Sequence, residues 1–125
     1  MPILSVQLIG APPAAVLRGL PQRVADAAGE VFRTPPQTTW VTVSVVPRSR
    51  YAENGGGPPR GAKPVLVRVV KGVWPSRAAM EGEVEALTKA IARAVRRPPA
   101  GVHVVYEPEA AGRIAFGGRL VPRRA

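Results

Sequence analysis

The chain has 125 residues, enough for one domain or for two small units fused, and a core of modest size. No stretch approaches the ~18 apolar residues of a membrane span, no basic region with a small-residue cleavage site marks a signal peptide, and the absence of cysteine excludes disulfides; the expectation is a cytoplasmic protein. The net charge of +10 comes from 18 Lys and Arg against 8 Asp and Glu, which suits anionic partners. The cations are scattered, with Arg96-Arg97 and Arg123-Arg124 as the tight groups, and aromatic residues are not interleaved with them. A field that attracts small carboxylates therefore fits better than a nucleic-acid track.

In chain order, residues 3–9 (ILSVQLI) alternate, with Leu4, Val6 and Leu8 on one face and Ser5 and Gln7 on the other, which predicts a strand. Pro2 stands before it. Either it is a strand starter, harmless because proline has no N–H to give, or it is a terminal secondary amine placed for chemistry. Residues 14–33 carry Leu17, Leu20, Val24, Ala28 and Val31 at helical spacing; Gly19 and Pro21 predict a late start or a kink. Pro35-Pro36 stops this helix. Residues 38–46 (TTWVTVSVV) read as a strand with Val41, Val43 and Val45 on one face, and 53–63 (ENGGGPPRGAK) as turn and linker.

The order then repeats. Residues 64–72 (PVLVRVVKG) predict a strand, Ser76 an N-cap, and Met80, Val84, Leu87, Ile91 and Val95 one face of a helix ending near Arg96 at Pro98-Pro99. Residues 102–107 (VHVVYE) predict a strand, and 112–121 (GRIAFGGRLV) a hairpin around Gly117-Gly118. The proline pairs lie 63 residues apart, and Pro2 and Pro64 lie 62 apart. A helix between two strands implies a parallel pair, so the expectation is α+β: a single domain over 1–125 made of two β-α-β repeats, 2–57 and 64–121, joined by a Gly/Pro linker at 55–63. They would form a four-stranded mixed sheet with two helices on one face. The uniform face of the third strand is Val65, Val67 and Val69, which puts Pro64 out of step with Pro2 and reads it as an edge-strand starter. Its nitrogen is an amide in any case. The other sheet face would carry Ser5, Gln7, Thr42, Ser44, Arg68 and His103 among apolar residues, with Trp40 and Val105 helping to bury it by self-association.

The inventory excludes much chemistry. One histidine (His103), one aspartate (Asp26) and no cysteine leave no evident zinc set or Ser-His-Asp triad, and no P-loop or GxGxxG is present. Gly55-Gly56-Gly57 runs into Pro58-Pro59 rather than into a helix. An enzyme made from this chain would rely on arginines, backbone groups and a terminal amine.

The Met-Pro start on a strand, the tandem β-α-β units and the GRIAFGG hairpin resemble the tautomerase superfamily, and within it a fused 4-oxalocrotonate tautomerase-like protein. MPILSVQLIG, TTWVTVSVVP with RYAENGGG, PVLVRVVKG and VHVVYEPEAAGRIAFGG carry the resemblance, which spans nearly the whole chain. It implies a tautomerase/MIF-like fold, a homotrimer and no cofactor or metal. It also implies loss of Met1, with the amine of Pro2 acting as general acid/base on an enol or α-keto carboxylate in an isomerase reaction. Related hydration, dehalogenation or decarboxylation, and a non-catalytic assembly or binding role, are the alternatives; a nucleic-acid-binding domain is a weaker one. The arginine usual in the strand after the helix is Thr42 in the first unit and His103 in the second. The one usual after the first strand falls among Gly10-Ala11-Pro12 and Gly72-Val73-Trp74. Antiparallel first and third strands would bring Pro2 near 70–72, where Lys71 lowers the amine pKa and Arg68 or Arg113 holds a carboxylate. His103 is read as a substrate contact or an interface residue. Tyr51 and Asn54 are read as a loop cluster with Glu53 that reaches a neighbouring site, or as turn chemistry alone.

Overall fold

The computed structural model describes residues 1–123; Arg124, one of the basic pairs above, lies outside them. Four strands form one mixed sheet in the order β2-β1-β3-β4. β1 (Ile3–Ile9) pairs parallel to β2 (Trp40–Val46) and antiparallel to β3 (Val65–Val70), which pairs parallel to β4 (Val102–Tyr106). Each parallel pair spans a helix, as the repeat demands. The helices are α2 (Leu20–Phe32), preceded by the single turn α1 (Ala14–Leu17), and α3 (Arg77–Val95). Leu4, Val6 and Leu8 of β1 and Val65, Val67 and Val69 of β3 are buried against Leu20, Val24 and Ala28 of α2 and Leu87, Ile91 and Val95 of α3. The period-2 and period-3.6 patterns thus meet in one core.

Residues 14–33, where Gly19 and Pro21 predicted a late start or a kink, form two helices, the main one starting late at Leu20. Gly19 takes the left-handed conformation (φ +69°) between them, and Pro21 follows at the start of α2, where a missing N–H breaks no helical bond. The second strand begins at Trp40 rather than at 38: Thr38 folds back, its N–H and hydroxyl both donating to the Pro35 carbonyl. Both main helices end alike. Arg33 (φ +55°) and Arg96 (φ +56°) cap them in the left-handed region two residues before each proline pair. Ser76 caps α3 by accepting from the Ala79 N–H at 3.2 Å.

Pro64 is not on an edge strand. β3 is interior, and Pro64 stands just ahead of it, where its carbonyl accepts from the Ile9 N–H at 3.0 Å and no ladder bond is lost. After β4 the chain runs on beside the end of β3, with the N–H groups of Glu107, Ala110 and Ala111 donating to the carbonyls of Val69, Lys71 and Gly72. It ends in the small hairpin β5 (Ala115–Phe116) and β6 (Arg119–Leu120). Phe116 meets the ring of Trp40 edge-on at 5.4 Å, so the hairpin returns to the start of β2.

Candidate functional site

Pro2 lies at the start of β1, buried, with its carbonyl accepting from the Trp40 N–H at 3.0 Å. The β1–β3 register ends on Ile3 opposite Val70, so Pro2 faces Lys71 across the strands. Both share the parity of Leu4 and Val69 and turn toward the helices.

Lys71 is not free. Its Nζ lies 2.7 Å from Glu83 Oε1, with side-chain exposures of 18% and 13%, and 4.9 Å from the centre of the Phe32 ring. The other oxygen of Glu83 accepts from the Tyr106 hydroxyl at 2.8 Å. Burial first, then the bond to Glu83 and its charge, pushes the Tyr106 phenol well above its ordinary pKa, so it remains a donor at every physiological pH. Phe32, Glu83 and Tyr106 come from α2, α3 and β4, and Lys71 directly follows β3, each beside the end of the sheet at which Pro2 stands. A salt bridge with so little water contact persists because both carboxylate oxygens have donors.

Glu83, Tyr106 and Phe32 were not among the residues singled out from the sequence. A signal existed for Glu83, which lies three residues after Met80 and four before Leu87, on the buried stripe of α3. A carboxylate at an apolar-face position asks for a partner. Tyr106 shares the inward parity of Val102 and Val104.

The remaining sequence candidates lie elsewhere. Arg68 faces the other side of the sheet, opposite Ser5 and Val105, and binds Glu107 at 2.7 Å. The structure does not bring it to Pro2. His103 also points outward, opposite Leu66, near the far end of the sheet. Tyr51 and Asn54 follow β2, whose last residue pairs with Ile9, so within one chain they too lie at the end away from Pro2. Tyr51 donates to Glu53 Oε2 at 2.7 Å, and this bond raises its pKa above the ordinary value, with burial and the Glu53 charge adding to it. Arg113 is on the segment that passes Lys71 and Gly72, but its Nε and Nη2 donate to the carbonyls of Glu109 and Pro108 at 2.9 and 2.8 Å. Trp74 closes the same segment, its backbone N–H on Glu109 and its indole N–H on the Glu107 carbonyl.

Beside this end of the sheet, a groove of about 900 Å³ runs between α2 and residues 33–41, lined among others by Asp26, Glu30, Arg33, Gln37 and Trp40. Among the described residues no group of three or more His, Asp or Glu gathers as a metal site, and no helix is long and apolar enough to cross a membrane.

This architecture is the tautomerase/MIF-like fold. A fused 4-OT, solved as a wild-type symmetric trimer, superposes with a TM-score of 0.76 at 17% identity, over 95% of this chain and 94% of that one. A malonate semialdehyde decarboxylase gives 0.69 at 22% identity, over 92% and 90%, and a macrophage migration inhibitory factor-like protein of Entamoeba histolytica 0.68 at 10%, over 95% and 97%. No family model and no curated protein matches the sequence.

Proposed function

We propose that the chain is a cofactor-independent enzyme of the tautomerase superfamily, in which Pro2, freed by removal of Met1, is the catalytic general acid/base on a small enol or α-keto carboxylate. The observation that carries this reading is the position of Pro2: buried at the start of an inner strand, directly across from Lys71 and beside a charged network of Lys71, Glu83 and Tyr106. An α-amine has a reference pKa of roughly 7.7–8.0, and burial disfavours its ammonium form, which leaves free base near neutrality. The amine takes the enol O–H proton, and the ammonium so formed gives a proton to C3. The C=C becomes C–H while C–OH becomes C=O, so the proline returns to its starting state. Lys71, held against Glu83 and Phe32, supplies a fixed N–H donor for the enolate oxygen, its charge compensated by Glu83.

The likeness to fused 4-OT trimers supports a homotrimer assembled through the open sheet face, where Trp40 and Val105 are 44% and 51% exposed. Tyr51 and Asn54 of one subunit, with Arg68, His103 or Arg113, are the proposed contacts to the carboxylate across that assembly. A decarboxylase or hydratase is the second reading, favoured by the malonate semialdehyde decarboxylase neighbour at 22% identity.

Ketonisation of phenylenolpyruvate by wild type and Pro2→Ala tests the reading. The expected result is catalysis by the wild type and a loss of 100-fold or more in the variant, the usual weight of a general acid/base. Equal rates overturn it. Carbon dioxide release from a 3-oxo acid, without ketonisation, selects the second reading.

A further inference from the structure

The end of the sheet opposite Pro2, where β1 and β2 finish and β3 and β4 begin, carries a second concentration of charge. Arg97, just past the cap of α3, is 7% exposed. Its Nη1 donates to the carbonyls of Ile9 (2.9 Å) and Pro64 (3.2 Å), and its Nη2 to that of Gly10 (2.7 Å). Three backbone oxygens, at the end of β1 and just ahead of β3, fix the guanidinium in place, yet none of them cancels its charge. The Nε–H and one Nη2–H stay outside these contacts. Arg48 lies over Gly10, its Cγ 3.2 Å from the position a β-carbon would take there, and it also binds only a carbonyl, that of Ala62. Burial, with the Arg48 charge second, lowers the Arg97 pKa. Neither arginine has a carboxylate partner among the described residues, in contrast to Lys71 and Glu83. The contrast extends to the repeat. Thr34 follows Arg33 as Arg97 follows Arg96, so only the second unit puts a cation at this point.

Arg97 also lines a groove of about 310 Å³ together with Lys89, Ala92, Arg93, Arg96 and Pro99. Among the described residues, four cations and no carboxylate line it. Glu85 answers Lys89 at 3.0 Å from outside the groove, and the C-terminal end of α3 contributes about half a negative charge. Those two together leave roughly two to three positive charges uncompensated. A helix end explains one basic residue; it does not explain this many.

We infer that this groove is a binding site for a compact oxyanion, a phosphate or a carboxylate, with Arg97 as its fixed donor and Arg93 and Arg96 as its exposed arms. A rigid guanidinium already held in place binds an oxyanion with little loss of its own freedom. The volume is at the small end of ligand sites, and no aromatic side chain lines it for base stacking. The site lies about 20 Å from Pro2, the length of a seven-residue strand, and does not depend on the proline reading.

The test is a titration of the full chain with inorganic phosphate and, separately, with succinate, at constant ionic strength balanced with chloride. The backbone amides of Arg93, Arg96, Arg97 and Gly10 are followed by NMR. The comparison is the double variant Arg93→Gln, Arg96→Asn; both residues are exposed, and asparagine tolerates the left-handed cap. Saturable shifts at these amides with either anion, and binding weakened at least tenfold in the double variant, are expected. The tighter of the two anions identifies the headgroup chemistry. No saturation with either anion, or an unchanged affinity in the variant, overturns the inference.

Discussion

Lys71 and Glu83 form a pair whose net field at Pro2 is small while both are present, so each should act through the other. Removing one leaves the other uncompensated beside the proline amine. Lys71→Met leaves a carboxylate, which favours the ammonium; the acid limb of the rate profile should move up by about one pH unit. Glu83→Gln leaves the cation, and the same limb should move down by about as much. Rate profiles of the two variants in parallel check the signs, and a shift in the same direction for both contradicts the pairing. Lys71 was legible from the sequence because strand parity and an antiparallel register are enough to put it across from Pro2. Its partners were not, because the Glu83 contact depends on how α3 lies over β3, and no local pattern fixes that. The same holds for Arg68: its outward parity was readable, but its ion pair with Glu107 comes from the next strand.

At the scale of elements, the repeat made the architecture readable. Apolar residues alternate in every main strand and recur at helical spacing in both main helices, and each proline pair marks a stop. Boundaries followed where a single residue sets the geometry, as Ser76 does for α3. Ser76→Ala should lower stability by about 1 kcal/mol, read as a lower urea midpoint with an unchanged slope. Gly19 and Pro21 likewise marked the late start of α2, whereas the start of β2 was missed by two residues because Thr38 folds back on the Pro35 carbonyl. Arg97 was visible in the sequence only as one of a basic pair, because a cation tied to strand carbonyls looks the same as a solvated one until α3 and β1 are brought together. Arg97→Ala takes the guanidinium donors from the Ile9 and Gly10 carbonyls at the end of β1, while the Pro64 carbonyl keeps the Ile9 N–H, and should cost about 2 to 3 kcal/mol, far more than the exposed Arg96→Ala. Equal urea midpoints for the two variants would contradict the clamp.

At the scale of the whole molecule, one sheet face is closed by helices, while the other presents Trp40, Leu66, Val70 and Val105 around a few polar side chains. The proposed homotrimer uses that face as its contact. Val105→Asp, which sets a charge on this face at the edge strand β4, should give monomers by light scattering, against the trimers expected of the wild type. The fold makes the two ends of the sheet chemically different: at one, a proline beside a compensated cation, at the other, arginines without counter-charges among the described residues. The catalytic reading rests on the first end, and on the nitrogen of Pro2 being an amine rather than an amide. The intact mass of the purified chain measures this directly. The expected mass is one methionine short of the sequence that starts at Met1; a mass that retains Met1 leaves Pro2 without a basic nitrogen and contradicts its catalytic role.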